Sequence, residues 1–204
     1  MTRGVGVVGS AQPEYGTARG GNDAILGIVV EILENEGYDA VQLREVARRA
    51  RTSLTTIYKR FPTRDELILA ALQAWMDEHR YAGVAVQARQ PGESLYDAHM
   101  RLLRTLFEPW ERHPAMLAAF FRARSAPGGH RLLRQGLDVV VPASLELLNE
   151  VDERFVHDLD NILTGLVYGL LGRYAAGEIA ITEILSTLDR AVYWLTMGYE
   201  SGHR

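Results

Sequence analysis

The sequence contains no cysteine, a single lysine and no long apolar run. Without cysteine, neither disulfides nor thiolate metal sites can form, which excludes disulfide-stapled secreted scaffolds and cysteine-ligated zinc modules. No apolar run reaches the roughly 18 residues that a membrane span requires, and the first residues lack the apolar core of a signal peptide. We therefore expect a cytoplasmic protein with no membrane partner.

The apolar residues that are present suffice for a sizeable core. Of the 204 residues, 47% are hydrophobic and 24% are charged, a balance typical of a folded globular chain. The apolar positions recur at helical spacing, and we find neither convincing strand alternation nor a hairpin signal. This pattern predicts an all-α fold of about nine helices.

Helix-start and helix-stop signals divide the chain. Asn22 or Asp23 caps the first helix, whose apolar stripe ends before Gly37. Pro62 stops the third helix, and Thr63 caps the fourth. The other predicted bounds are 42–50 and 53–61, with Ser53 as a cap, and then 94–111, 114–124, 129–149, 152–176 and 182–200.

The basic residues are concentrated in one segment of an acidic chain. The whole chain has a formal net charge of -4, but positions 42–64 hold seven basic residues against one acid, Glu45, a formal charge of +6. The basic residues are Arg44, Arg48, Arg49, Arg51, Lys59, Arg60 and Arg64. A positive segment on an acidic body is typical of a module that meets DNA phosphates. A solvated arginine face is the alternative, since arginine is almost the only cation in this sequence.

The same segment has the layout of a helix-turn-helix, in which two short helices pack through small and apolar residues. Here the packing residues are Val46, Ala47, Ala50, Ile57 and Phe61. The second helix of the pair exposes small polar side chains, which suits the reading of base edges.

This segment resembles the DNA-binding signature of the TetR family of bacterial regulators. The specific part is Thr56-Ile57-Tyr58 followed by Phe61-Pro62-Thr63-Arg64 and Leu67, about 20 residues after Gly37 and an apolar first helix. A shorter phrase, from Ala40 to Arg44, is similar to family members that govern sterol breakdown. The resemblance implies a flexible arm at 1–21, a helix-turn-helix DNA-binding domain at 22–67 and a ligand-binding and dimerisation domain at 68–204.

The resemblance also implies a function. The chain would be a homodimeric transcriptional repressor that binds a pseudo-palindromic operator in double-stranded DNA and is released by a small hydrophobic inducer. It would be no enzyme, and neither a cofactor nor a metal is expected. The implied DNA-binding residues are Gln42, Arg44, Arg51, Thr52, Ser53, Thr55, Thr56, Tyr58, Lys59, Arg60 and Arg64.

Three features depart from the family pattern. Arg51 occupies a turn position that is commonly glycine, so the turn is shaped differently or carries an extra phosphate contact. A hydroxyl residue commonly caps the second helix, whereas Val41-Gln42 stands there. The approach to the first helix is usually basic, whereas Gly20 to Asp23 carries no basic residue.

Glycines in the eighth helix predict a close helix partner. Each glycine costs about 1 kcal/mol of helix stability relative to alanine, so several on neighbouring turns indicate that another backbone approaches. With apolar residues of the ninth helix they would form a four-helix interface between two copies; internal packing is the alternative. The predicted interface residues are Gly165, Gly169, Gly172, Leu188, Val192 and Leu195.

The middle helices carry large apolar side chains with isolated polar ones among them, the composition of a small-molecule pocket. Ordinary core packing is the alternative for each residue. The predicted lining is Met100, Leu103, Phe107, Trp110, Met116, Phe120, Phe121, Asn161, Thr164 and Tyr168.

Two other functions stay open at this stage. Glu153, His157 and Asp160 share a helix face, as an all-helical enzyme could require, although a solvated acidic stripe explains them equally. The sequence has neither a nucleophile elbow nor a phosphate-cradling glycine loop. A regulator that binds DNA without responding to a ligand is the other alternative.

Overall fold

A computed structural model describes residues 16–84 and 89–202 and, for side chains, begins at residue 23. These residues form nine α-helices and no strand, which confirms the predicted all-α fold. The helices are α1 (Gly16–Asn35), α2 (Leu43–Arg49), α3 (Leu54–Arg60), α4 (Arg64–Met76), α5 (Leu95–Arg112), α6 (Pro114–Arg124), α7 (His130–Leu147), α8 (Glu153–Ala175) and α9 (Thr182–Gly202). A 3-10 turn spans Tyr38–Ala40, and a π-helical turn spans Asp77–Tyr81.

The first helix begins earlier than the sequence indicates. Residues 1–15 of the predicted arm lie outside the described residues, but residues 16–21 are helical rather than part of a flexible arm. Gly20 and Gly21 are poor helix formers, which is why the sequence favoured an arm there. Once the packed half of α1 is formed, each further residue adds one backbone hydrogen bond at little cost, and no proline stops the helix.

Polar caps start several of the helices. The Ser53 hydroxyl accepts a hydrogen bond from Thr56 N at 3.1 Å, and the Thr63 hydroxyl accepts one from Glu66 N at 3.1 Å. Ser94 and Asp152 cap α5 and α8 in the same way. The two caps predicted around the recognition helix, Ser53 and Thr63, are therefore confirmed.

Helix α4 is buried on nearly all sides. Its buried residues are Leu67, Ile68, Leu69, Ala71, Leu72, Trp75 and Met76. It packs against α1 on one side and against α6 and α7 on the other. The predicted domain boundary between residues 67 and 68 falls inside this helix, so both halves of the chain share α4.

Helix α5 is the centre of the C-terminal half. It packs against α9, α6, α7 and the π-helical turn, and α8 lies over α9. In the described ranges no helix is long and apolar enough to cross a bilayer.

Charged contacts tie helices α1 to α3, the DNA module, to the helices α5 to α9, the effector region. Arg122 of α6 donates two hydrogen bonds of 2.7 Å to the carboxylate of Asp39. His113 Nδ1 lies 2.6 Å from Glu34 Oε1, and an Arg131 Nη lies 2.8 Å from Glu66 Oε2 at the start of α4.

We expect the shared helix to dominate stability. Leu72 is fully buried, so Leu72→Ala should lower the free energy of unfolding by about 2–5 kcal/mol, measured by urea denaturation at fixed protein concentration. The same change at Leu145, which is 57% exposed on α7, should alter it by less than about 0.5 kcal/mol. Equal losses in the two variants would contradict this assignment of the core.

Candidate nucleic-acid interface and effector region

The turn between α2 and α3 is a Schellman motif. Thr52 N donates to Ala47 O at 3.0 Å, and Arg51 N donates to Arg48 O at 3.2 Å. The residue at the left-handed position of this motif is Arg51, with φ 48°. A glycine adopts this conformation without strain, whereas an arginine does so at a cost. The unusual residue therefore leaves the turn shape unchanged and projects an exposed guanidinium from it.

Helix α3 buries one face and exposes the other. Ile57 is fully buried and Phe61 is 9% exposed, while Tyr58 is 49% exposed. The other exposed side chains on or next to the helix are Ser53, Thr55, Lys59 and Arg60. Thr52 and Thr56 are half-buried, and the Thr56 hydroxyl lies 2.8 Å from that of Ser53.

Two of the basic residues are neutralised inside the module. Arg48 and Arg49 both donate to the Glu45 carboxylate, and Arg49 also donates to Glu36. The hydrogen bonds from Arg48 and Arg49 lower the pKa of Glu45 to about 2. The formal charge of +6 therefore overstates the positive charge that faces solvent.

Arg64 differs from its predicted role as a phosphate clamp. Its Nε donates to Val41 O at 2.6 Å, and an Nη donates to Tyr38 O. The guanidinium also lies over the Tyr38 ring, with 4.9 Å between the Arg64 Cζ and the ring centroid. The structure thus places Arg64 as an internal brace between α4 and the 3-10 turn, a long-range contact that local sequence cannot indicate.

Four cations remain exposed around α3: Arg44, Arg51, Lys59 and Arg60. Across the described residues no carboxylate forms an ion pair with any of them. Gln42, at the start of α2, makes no side-chain capping bond, and its amide donates to Asp39 O at 3.0 Å. The exposed hydroxyls of α3 and these four cations form one surface, which we call the α3 surface.

Two family profiles match this chain. The one described as bacterial regulatory proteins of the tetR family matches residues 29–71, and the tetracyclin repressor-like C-terminal domain matches residues 92–195, just over half of the chain. The chain belongs to the TetR family. It is a DNA-binding transcriptional regulator and, as a member of that family, not an enzyme.

Curated TetR-family relatives match at modest identity. The transcriptional activator FasR of Mycolicibacterium smegmatis is 27% identical over 198 residues, which cover 92% of this chain and 81% of FasR. The transcriptional repressor KstR of Rhodococcus jostii is 29% identical over 99 residues, 48% of this chain and 45% of KstR.

Solved TetR-family structures share the fold. A regulator from Rhodococcus sp. RHA1 has a TM-score of 0.63 at 23% identity, covering 87% of this chain and 95% of that one. A regulator from Mesorhizobium loti has a TM-score of 0.65 at 15% identity, covering 91% of this chain and 99% of that one. At these identities the likeness concerns the fold.

In this TetR-family chain, seven of the predicted pocket residues lie in or against the core. Met100, Phe107, Trp110 and Met116 are buried, and the other three, Leu103, Phe120 and Phe121, are partly buried. The structure brings the rings of Trp110 and Phe120 to 5.7 Å, and those of Phe120 and Phe121 to 5.9 Å, between centroids.

The predicted polar residues of the pocket are elsewhere. Asn161, Thr164 and Tyr168 are exposed on the outer face of α8, where the Asn161 amide donates to His157 O and the Thr164 hydroxyl to Asp160. Their shared helix face was recognised, but its direction was wrong, because α8 turns its apolar positions toward α9 and leaves this face to solvent.

The predicted dimer interface is also divided. Gly165, Gly169 and Gly172 are exposed, and a Cβ at any of them would meet nothing within 4 Å. In contrast, Leu188 and Val192 are fully buried within the chain's own core, so that part of the prediction is wrong; Leu195 is half-buried. Because α9 packs against α5, its widest apolar face is used internally.

Two features of the effector region were missed. The sequence gives no signal for the π-helical turn, and nothing marks Arg80 within it as a buried cation. The contact between Arg122 and Asp39 was missed as well, since 83 residues separate the partners.

The strained turn yields a stability prediction. Arg51→Gly should raise the free energy of unfolding by about 0.5–1 kcal/mol in urea denaturation, because glycine adopts the left-handed conformation without a Cβ clash. Arg44→Gly is the control: the same change in the regular helix α2 should lower that free energy by about 1 kcal/mol. A destabilised Arg51→Gly protein would show that φ strain is not what the arginine contributes.

Proposed function

We propose that the chain is a homodimeric repressor that binds a pseudo-palindromic operator through the α3 surface and is released by a small hydrophobic ligand. Since its partner is genomic DNA, we place it in the cytoplasm. The observation that carries the proposal is the α3 surface itself, where hydroxyls and unpaired cations lie together on one exposed helix.

The binding mode follows from the geometry of that surface. Helix α3 would enter the major groove, with Ser53, Thr55 and Thr56 toward base edges. Arg44 and Arg51 flank its start, while Lys59 and Arg60 lie at its end, and all four are exposed. This arrangement suits phosphate contacts on both sides of the groove.

A dimer is proposed for two reasons. Helix α3 has seven residues, which reach too few base pairs for useful specificity, so two copies on two half-sites are needed. The outer face of α8 offers the exposed glycine stripe together with Ile162 and Tyr168, which are 46% and 45% exposed. Small residues beside apolar ones allow a second helix to approach closely, and a two-fold interface would pair this face with itself.

The direction of regulation has a second candidate. Most of this chain matches a protein named as an activator, whereas the match to the repressor KstR covers about half of it. We propose a repressor, and a reporter placed behind a bound operator distinguishes the two: transcription falls when a repressor is supplied and rises when an activator is.

The α3 surface can be tested with arginine and lysine variants on an operator selected by the full-length protein from a random DNA pool. Arg44→Ala, Arg51→Ala and Lys59→Ala should each weaken binding and reduce the slope of log affinity against log salt by about 1, because each removes about one phosphate contact.

The matched control for that titration is Arg134→Ala, which removes an exposed arginine on α7 away from the α3 surface. Its affinity and salt slope should equal those of the unmodified protein. Unchanged slopes in all three α3-surface variants would refute the proposed phosphate contacts.

The dimer face is tested by filling the glycine stripe. Gly169→Leu should shift the protein from dimer to monomer in sedimentation equilibrium without unfolding it, because a Cβ there meets nothing within the chain. Gly27→Leu is the control, since Gly27 is also an exposed helical glycine with nothing within 4 Å of a Cβ, but lies on α1. A Gly169→Leu protein that remains dimeric would place the interface elsewhere.

A further inference from the structure

Arg80 extends from the π-helical turn into the core beside α5. Its Nε donates to Leu106 O at 2.8 Å, and one Nη donates to the Tyr81 hydroxyl at 3.2 Å. The guanidinium lies over the Trp110 ring, with 4.4 Å between Cζ and the ring centroid, and the same Nη approaches Met76 Sδ at 3.9 Å. Every one of these partners is electrically neutral.

The positive charge of Arg80 has no counterion in the part of the chain that the structure describes. Arg48, Arg49, Arg101 and Arg122 each face a carboxylate, whereas no Asp or Glu of the described residues pairs with Arg80. Burial lowers the pKa of Arg80 to about 10, so the side chain is still protonated at neutral pH. A buried unpaired cation destabilises a fold, and cations that are retained in such positions ordinarily meet an anion.

The second Nη group completes the argument for a missing partner. It makes no hydrogen bond to any described residue, while Nε and the first Nη are occupied. A guanidinium presents its N–H groups in a planar fork that matches the two oxygens of a carboxylate. The neighbouring Trp110 and Met76 are buried and apolar, which suits the hydrocarbon part of such a ligand.

The backbone around Arg80 is unusual as well. A π-helical turn is rare, and such turns occur frequently at functional sites. The turn occupies Asp77–Tyr81, directly after α4. Compared with a continued α-helix, one inserted residue rotates all later side chains by about 100°. The turn thus sets the direction in which Arg80 leaves the helix.

An open groove of about 660 Å³ lies beside this turn. His79 and Gly83 line it from the turn and its end, and Thr105 and Pro109 line it from α5. These residues flank Arg80 and Leu106 in the sequence. Its rim is charged but balanced, with Arg101, Arg104 and Arg112 beside Glu93, Asp97 and Glu108. The groove gives a solvent-side approach to the turn that carries Arg80.

We propose that Arg80 binds the carboxylate of an apolar ligand, a fatty-acid-like molecule that reaches it by way of this groove. The site names the chemical class of the ligand in the proposed function and rests on that function for its regulatory consequence. Binding would bring the anion that the buried guanidinium lacks, while the hydrocarbon chain would contact the apolar side chains around Trp110.

Dodecanoate and dodecanol are suitable probes, since they share a hydrocarbon chain and differ in the anionic group. By calorimetry with the full chain, dodecanoate should bind at least about 10-fold more tightly than dodecanol, because a charge-assisted bidentate contact is lost in the alcohol. In Arg80→Met protein the two affinities should agree within about 2-fold, since the methionine keeps the apolar contacts and removes the charge.

Two further variants keep the test decisive. Arg80→Lys retains the charge without the planar fork and should keep a reduced preference for the acid. Arg104→Met removes an exposed arginine of the groove rim and should keep the full preference. Equal binding of acid and alcohol by unmodified protein, or a preference lost in Arg104→Met but kept in Arg80→Met, would overturn the site. If Arg80→Met fails to fold, Arg80→Lys and Arg104→Met decide in the same way.

Operator binding and melting temperature separate this site from the proposed ligand response. Without ligand, Arg80→Met should bind operator DNA normally and melt a few degrees higher, because the buried charge is gone. Dodecanoate that binds through Arg80 but does not release the operator would refute the ligand response and leave the site standing. Equal release from unmodified and Arg80→Met protein would refute the site and leave the response standing.

Discussion

The burial of α4 on nearly all sides is the constraint on which the rest of the structure depends. One face of this helix is the floor of the DNA module, packed against α1, and the other is packed against α6 and α7 of the effector region. A close-packed helix cannot slide against one set of neighbours without opening voids against the other. The position of α3, which is joined to α4 through Phe61, Pro62 and Thr63, is therefore fixed by packing in both halves of the chain. A boundary between two independent domains does not describe this arrangement.

Arginine performs four different tasks around this helix, and composition cannot distinguish them. Arg51 is exposed at a strained turn, Arg49 is paired within the module, and Arg80 is buried without an anion. Arg64 and Arg122 lie over the ring of Tyr38, at 4.9 and 4.5 Å from its centroid, and so join α4 and α6 to the 3-10 turn. A count of basic residues indicates a positive segment correctly, but the cations that can face a phosphate are those left exposed after the internal pairs are formed.

The features that sequence reasoning found are local, and those it missed depend on rotation or distance. The caps at Ser53 and Thr63 and the stop at Pro62 act within one helical turn, so nearby residues suffice to predict them. The direction of a helix face is not local: α9 is apolar widely enough to face either α5 or a partner, and only packing shows that Leu188 and Val192 face inward. The outward face of α8, with Asn161, was misassigned for the same reason.

A ligand can control this protein only through a difference in its affinity for two arrangements of the chain, because equal affinity for both shifts nothing. The π-helical turn is well placed to provide that difference. It continues directly from α4, so a change in its backbone acts on the helix that both halves share. In the arrangement described here the Arg80 charge is buried beside neutral groups, so an anion would be favoured by any arrangement that lets it reach the guanidinium. The strain of an unpaired charge would then be relieved in one state only, and packing through α4 would carry the change to α3.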